Sequence, residues 1–141
     1  MIYAEVGERL TQALLKGDFG LFRSVVALPL RIETRVGKAQ RIETDAELRE
    51  LFECYVNMGR LHRVTDLYRD VQFAEHVAPG ELKAVFQLSI LSGGTRVVAP
   101  FSSTHHLVET SEGWRIRRIE DALGQTNWLY DTPGWPGSET A

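Results

Sequence analysis

The sequence predicts an α+β protein in which three N-terminal helices pack on an antiparallel β-sheet. In the first part of the chain, apolar residues recur at intervals of three and four, the spacing of one helix face. After Gly59 the pattern changes to long extended segments separated by short turn sequences, which is typical of antiparallel strands. The 141 residues, 43% apolar and 25% charged, suffice for one domain, which we place at residues 1–123.

Charge and cysteine content argue against several classes of protein. The net charge is −3 and no basic stripe with interleaved aromatic residues occurs, so nucleic-acid binding is not predicted. Cys54 is the single cysteine and cannot form an internal disulfide, which favours a reducing compartment. The N-terminal segment MIYAEVGERL does not resemble a signal peptide, and no apolar run approaches the roughly 20 residues of a membrane helix. We therefore expect a cytoplasmic protein without membrane association.

Two helices are predicted at the start of the chain. The apolar stripe of the first, over residues 2–16, consists of Tyr3, Val6, Leu10, Ala13 and Leu14. Gly17 follows as a C-cap signal, and Asp18 can cap the N-terminus of a second, short helix. The apolar side of this second helix would contain Phe19, Phe22, Val25 and Val26, and Pro29 would end it.

A short β-hairpin is predicted next. The tetrapeptide RIET occurs at residues 31–34 and again at 41–44, on either side of a Val-Gly-Lys-Ala segment. This arrangement indicates two strands with a turn near Gly37.

The third helix has the clearest local signal. Thr44 and Glu47 form a capping box, in which each side chain bonds the backbone N–H of the other residue. The apolar residues that follow at helical spacing are Leu48, Leu51, Phe52, Tyr55 and Val56. We place this helix at residues 45–58 and expect Gly59 to close it.

Four long strands are predicted after the third helix, at about residues 61–75, 81–92, 96–109 and 114–122. Turn compositions separate them, and strands joined by such short turns run antiparallel as a meander. Within the second of these strands, Ala84, Phe86, Leu88 and Ile90 share one face, while Val85 and Leu91 lie on the other. Apolar residues on both faces predict that helices cover one face and a partner subunit the other.

Residues 124–141 form a C-terminal tail whose Gly, Pro, Ser and Thr content predicts little regular structure. Its large apolar residues are Trp128, Leu129, Tyr130 and Trp135. Because such side chains are not favoured in water, we expect the tail to pack on its own domain or on a neighbouring subunit. We expect its last five or so residues to be disordered.

In this order of elements, the chain resembles the NTF2-like superfamily, also called the SnoaL-like or cystatin-like α+β cone. The resemblance rests on LLKGDFGLFRSVVA at 14–27, IETRVGKAQRIETDAELRELF at 32–52 and EGWRIRRIEDAL at 112–123. It implies a strongly curved sheet that forms a cone with an internal pocket, and commonly a homodimer through the convex sheet face. It does not imply one activity, because this fold includes isomerases, cyclases, dehydratases, transport factors and non-catalytic domains.

The ketosteroid isomerases of this superfamily carry a tyrosine on the first helix, a carboxylate base near the end of the first strand and a protonated aspartic acid on a late strand. Counted from the glycine–aspartate joint, the tyrosine position is Leu10, and the base position is Thr34 with Glu33 adjacent. The late-strand acid falls at or beside His106. Two of the three roles therefore lack their residue, so ketosteroid isomerase itself is not predicted.

Candidate catalytic residues for other acid–base chemistry are His105, His106 and Glu33, because imidazole and carboxyl groups transfer protons. Neighbouring side chains of a strand point to opposite faces, so only one of the two histidines can enter the pocket. His105 is favoured since it alternates with Phe101, Ser103 and Leu107. The alternative is a histidine hydrogen-bonded in the cavity wall or at a dimer face. No spacing typical of metal ligands occurs, so neither a metal site nor a cofactor is predicted.

The candidate ligand-binding residues are Tyr55, Phe52, His62, Phe86, Phe101, Ser103 and Trp114. Tyr55 lies on the inner face of the third helix by periodicity, and Trp114 opens the last strand. His62 is placed on one face of its strand with Val64, Asp66 and Tyr68. For the aromatic residues, packing in the core is the alternative to ligand contact.

Three functional hypotheses remain open. The first is a small NTF2-like protein, without catalysis, that binds an apolar or amphipathic molecule in its pocket. The second is a SnoaL-like acid–base enzyme, namely an isomerase, cyclase or dehydratase. The third is a structural or regulatory dimer whose cavity is filled by its own side chains, such as Phe52, Tyr55 and Trp114. Convergent polar groups in an open cavity would favour the first two hypotheses.

Overall fold

The computed structural model describes residues 2–34 and 39–122. It contains three helices, α1 (Ile2–Lys16), α2 (Phe19–Ser24) and α3 (Asp45–Leu61). The seven strands are β1 (Val26–Thr34), β2 (Ala39–Ile42), β3 (Asp66–Ala78), β4 (Glu81–Ser92), β5 (Thr95–Arg96), β6 (Phe101–Thr110) and β7 (Gly113–Ala122). The hairpin turn predicted near Gly37 and the tail at 124–141 lie outside the described residues.

The strands form one strongly curled sheet in the order β2-β1-β7-β6-β4-β3, with the short β5 paired to β4. The sheet is mixed, so the prediction of a purely antiparallel sheet was wrong: β1 pairs with β7 in parallel. These two strands come from opposite ends of the domain, so no short turn forces them to run antiparallel. Register shifts in the β1–β7, β3–β4 and β6–β7 pairs mark bulges, which increase local twist and curl the sheet.

The predicted helix caps are confirmed. The Thr44 hydroxyl accepts a hydrogen bond from the Glu47 backbone N–H at 3.1 Å, and the Glu47 carboxylate accepts one from the Thr44 N–H at 3.1 Å. Asp18 caps α2 by accepting from the Leu21 N–H at 3.1 Å. Each cap satisfies backbone donors that the helix itself leaves unpaired, so these starts are determined locally.

Several predicted boundaries were wrong. Gly59 lies inside α3, which continues to Leu61, because a helical glycine costs only about 1 kcal/mol and buried packing by residues such as Met58 outweighs it. Val26 belongs to β1 rather than to α2, and β1 continues through a cis Leu28–Pro29 bond. The third predicted strand at 96–109 divides into β5 and β6.

The first long strand begins later than predicted. Residues 62–65 connect α3 to β3, and Arg63 adopts a left-handed backbone conformation with φ of 53°. Side-chain alternation therefore starts at Asp66, not near His62. As a result Tyr68 is exposed, while Leu67 and Arg69 face the helices.

The helices pack against the inner face of the curled sheet. The face predicted for Ala84, Phe86, Leu88 and Ile90 is confirmed, and all four side chains are buried. The outer face of the edge strand β3 exposes Tyr68, Phe73 and Val77. A homodimer through this convex face stays a prediction. Within the described part of the chain, no helix combines the length and the apolar content needed to cross a bilayer.

Candidate functional site

A cavity of about 420 Å³ lies between the helices and the inner face of the sheet. Most of its wall is apolar, contributed by all three helices and by strands β1, β3, β4, β6 and β7. The buried apolar wall residues are Leu10, Phe22, Val26, Leu30, Leu51, Phe86, Leu88, Ile90, Phe101 and Ile116. The exposed members of the lining, which mark the opening, are Leu15, Lys16, Gly17, Arg60, Arg63 and Thr65. The opening therefore lies between the C-terminal ends of α1 and α3.

His105 is the buried imidazole of the cavity wall. It lies on the inner face of β6, and its Nδ1 atom is 2.8 Å from the hydroxyl of Tyr3 on α1. The Phe86 ring lies beside both residues, with its centroid 4.7 Å from that of His105 and 5.6 Å from that of Tyr3. The rings of Tyr3 and Phe86 hold the imidazole in one orientation, and its other ring nitrogen remains for a second contact.

Burial keeps the His105 imidazole neutral. The pKa of His105 is lowered well below its usual range, first by desolvation and then by the nearby charges of Arg69 and His106. Burial likewise raises the pKa of the Tyr3 hydroxyl, so the phenol stays protonated. Two neutral groups joined by a hydrogen bond can therefore polarise a ligand without a permanent charge.

Arg69 brings a positive charge to the inner wall. Its side chain extends from β3 to α1, where Nη1 donates hydrogen bonds to the Gly7 carbonyl at 3.2 Å and to the Thr11 hydroxyl. Burial lowers the pKa of Arg69, but a guanidinium remains charged in a protein. Its Nε–H is buried and has no hydrogen-bond partner among the described residues.

Five of the sequence-predicted residues line the cavity: His105, Tyr55, Phe86, Phe101 and Ser103. His105 enters and His106 does not, as the alternation along β6 predicts. The Ser103 hydroxyl donates to the Glu120 carbonyl at 3.0 Å, so it is already engaged in the sheet. The roles of these five residues in ligand binding stay predictions.

The other ligand candidates lie elsewhere. Phe52 belongs to an aromatic cluster beneath α2, with its ring centroid 4.8 Å from that of Phe22. His62 is the C-cap residue of α3. Trp114 packs edge-on against His76 at 5.7 Å. None of the three is among the lining residues within the described chain: Phe52 packs against α2, while His62 and Trp114 lie at the ends of their elements.

Glu33 and His106 lie together on the outer face of the sheet. Arg118 donates two hydrogen bonds to Glu33, at 2.7 and 3.1 Å, and one to Glu120 at 2.8 Å. His106 Nε2 is 2.9 Å from the other Glu120 oxygen. The Arg118 hydrogen bonds hold the pKa of Glu33 below its usual value. These cross-strand pairs account for the polar residues on the outer face. The sheet separates Glu33 and His106 from His105, which lies on its inner face.

Sequence reasoning missed two residues of the site, Tyr3 and Arg69. Tyr3 was assigned only to the apolar stripe of α1. Arg69 could have been found from its alternation with Leu67 and Val71, two apolar positions of the same strand. Residues 2–34 and 39–122 contain no group of three or more potential metal ligands.

Comparison with known proteins identifies structural neighbours. No protein-family model and no curated protein sequence matches the chain. A cystatin-like domain of unknown function from Nostoc punctiforme aligns with a TM-score of 0.62 at 16% identity, covering 90% of this chain and 80% of the other. A candidate ketosteroid isomerase from Shewanella frigidimarina aligns with a TM-score of 0.61 at 14% identity, covering 85% and 94%.

A third neighbour is a candidate dehydratase of the NTF2-like family from Streptomyces avermitilis. It aligns with a TM-score of 0.59 at 14% identity, and the alignment covers 84% of this chain and 91% of the other. At such identities the likeness concerns the fold and not the activity. The helices packed on a curled sheet, the cavity between them and these neighbours together lead to one conclusion: this chain has the NTF2-like, cystatin-like fold that its sequence predicts.

Proposed function

We propose that this protein binds a small, predominantly apolar molecule in the cavity between its helices and its sheet. The observation that carries the proposal is the open cavity itself, whose volume of about 420 Å³ is not filled by side chains of residues 2–34 and 39–122. Small-molecule sites in proteins are typically about 300–1,000 Å³, mostly apolar, with a few convergent polar groups. The neutral His105 and the cation Arg69 supply such polar groups here.

The open cavity also argues against a purely structural role. In that hypothesis Phe52, Tyr55 and Trp114 fill the interior, yet only Tyr55 reaches the cavity wall. Apolar space that the protein's own side chains do not fill forfeits dispersion contacts along its wall. A ligand that fills the space recovers part of those contacts.

The test uses octanol as a neutral apolar probe. We expect saturable changes in amide NMR shifts at the cavity wall, and loss of binding when Val64→Trp obstructs the lining near the opening. Val77→Trp is the matched control, because Val77 is exposed on the outer face of β3. The proposal fails if neither octanol nor its carboxylate and amine counterparts bind, or if both tryptophan variants bind octanol equally well.

A second candidate function is acid–base catalysis on the bound molecule. The specific observation that favours it is the hydrogen bond of 2.8 Å between Tyr3 and His105, which orients a neutral imidazole beside an apolar space. In the tautomer whose Nδ1–H donates to the Tyr3 oxygen, Nε2 is unprotonated and can accept a proton from the ligand. Structural neighbours named as a candidate dehydratase and a candidate ketosteroid isomerase add fold-level support. Glu33 has no role in this proposed catalysis, because Arg118 binds it on the outer face of the sheet.

Catalysis can be tested without knowing the substrate. Methyl hexyl ketone is incubated with the protein in deuterium oxide, and exchange of the hydrogens next to the carbonyl is followed by NMR. We expect exchange above the buffer rate with the unaltered protein and with His106→Gln, and its loss with His105→Gln. Exchange at the buffer rate with the unaltered protein, or equal loss in both variants, rules out His105 as the base for this class of carbonyl compound.

A further inference from the structure

The charged residues of the cavity lining all have the same sign. Within the described chain, the lining includes the four cations Lys16, Arg60, Arg63 and Arg69 and contains neither aspartate nor glutamate. The protein as a whole is acidic, with a net charge of −3, so the charge of the lining is opposite in sign to that of the whole protein. A concave site lined by one sign of charge concentrates ligands of the opposite sign.

Three of these cations lie at the opening and one lies inside. Lys16 ends α1, while Arg60 and Arg63 lie at the C-terminal end of α3, and all three are exposed. Arg69 lies farther in, with Cζ 5.7 Å from the centroid of the Phe86 ring, which also contacts His105. An anion would therefore meet attraction at the opening and a positioned guanidinium at the inner wall.

Arg69 has hydrogen-bonding capacity that its protein contacts do not use. The contacts to Gly7 and Thr11 engage Nη1 alone, the guanidinium also interacts with the Tyr3 hydroxyl, and Nε–H is buried without a partner among the described residues. No carboxylate forms a salt bridge with Arg69 among the described residues. The charge of Glu8 favours the Arg69 cation without forming an ion pair with it, and an anion supplied by a ligand further offsets the cost of burying this cation.

We infer that the ligand of the proposed site is an amphipathic monoanion, a carboxylate whose oxygens bind Arg69 and whose apolar body fills the cavity. The inference rests on the proposed function, since it names the class of molecule that the cavity takes. A guanidinium fork matches a carboxylate geometrically and pairs with it more strongly than with a neutral hydroxyl. When Tyr3 donates to His105 Nδ1, His105 Nε2–H is a second donor available to the carboxylate.

A structural role for Arg69 accounts for only part of these observations. By contacting Gly7, Thr11 and Tyr3, Arg69 ties β3 to α1, and that tie does not use Nε–H. It leaves the unpartnered Nε–H and the three cations at the opening unexplained. It also makes a different prediction, because a structural arginine changes stability without changing the preference among ligands.

The first experiment uses the unaltered protein with octanoate, octanol and octylamine, which share one chain length and differ in charge. Calorimetry or NMR titration at neutral pH measures the three dissociation constants. We expect octanoate to bind about tenfold or more tightly than octanol, and octylamine to bind most weakly. Equal affinity for octanoate and octanol overturns the inference and leaves the proposed function standing. Failure of all three probes overturns the proposed function itself.

The second experiment changes the cation. Arg69→Gln should reduce octanoate affinity to that of octanol measured on the same variant, while Arg69→Lys should retain part of the preference because the charge remains. Arg41→Gln is the matched control, since Arg41 is exposed on β2 and pairs with Glu43. If Arg69→Gln lowers the melting temperature but keeps the full preference for octanoate, Arg69 is a structural residue and the inference is wrong. Should this variant not fold, the comparison of the three probes on the unaltered protein still decides the inference.

Discussion

The hydroxyl of Tyr3 and Nδ1 of His105 lie 2.8 Å apart, although the two residues are 102 positions apart in the sequence. This hydrogen bond joins the first helix to β6 and is buried on both sides, since Tyr3 is 1% and His105 4% exposed. A buried polar pair is stable only while both partners are present. The contact therefore connects the stability of the domain to the orientation of the imidazole that lines the cavity.

Tyr3→Phe should lower the free energy of unfolding by about 1–3 kcal/mol, because it leaves a buried ring nitrogen of His105 without its partner. Tyr68→Phe is the matched control, since the Tyr68 side chain is exposed on the outer face, and it should change stability little. Urea denaturation of both variants provides the measurement. Equal stability of the two variants would contradict the importance of the buried hydrogen bond.

Stability should decrease as the pH falls below about 6.5, the pKa of an unfolded histidine. The lowered pKa of His105 means that the unfolded chain binds a proton in this range that the folded chain does not. The free energy of unfolding then rises with pH below this value, by at most about 1.4 kcal/mol per pH unit from this residue. Above that range His105 contributes no further slope.

Urea denaturation at several pH values between about 7.5 and 5.5 measures this slope, in a range above the titration of ordinary carboxylates. His105→Gln should flatten it, whereas His76→Gln, which removes an exposed imidazole, should leave it in place. A slope that is identical in the unaltered protein and in His105→Gln would show that His105 does not cause the pH dependence.

Gly59→Ala should stabilise the protein by about 0.5–1 kcal/mol, because alanine loses less backbone entropy inside a helix than glycine does. A Cβ at Gly59 meets no atom within 4 Å, so the added methyl group causes no clash. Gly17→Ala is the contrasting variant, since φ of Gly17 is +68° and a side chain there costs about 1–2 kcal/mol. Thermal denaturation should therefore shift in opposite directions for the two variants.

The protein should form a homodimer through the outer face of its sheet, where β3 exposes Tyr68, Phe73 and Val77. Light scattering after size exclusion should give twice the mass of one chain. Phe73→Asp should reduce this to the mass of one chain, because a carboxylate cannot be buried unpaired in an apolar interface. A single-chain mass for the unaltered protein, or a dimer that tolerates Phe73→Asp, would contradict this interface.

Some features of the site could be predicted from the sequence, and the reasons differ from residue to residue. The inward position of His105 follows from alternation along an uninterrupted strand, as does that of Phe101. Tyr55 follows from the helical period of α3. The alternation assigned to His62 and Tyr68 was wrong, because the left-handed conformation of Arg63 and the later start of β3 reset the phase.

The helices, their caps and the outline of the strands follow from local sequence, because hydrophobic period and capping act between residues a few positions apart. The parallel pairing of β1 with β7, and the contact of Glu33 with Arg118 on the outer surface, arise only when the whole domain folds. The same folding places Arg69 beside α1, where it contacts Gly7. These relationships join residues 62 or more positions apart, and the folding of the whole sheet, rather than any local pattern, brings them together.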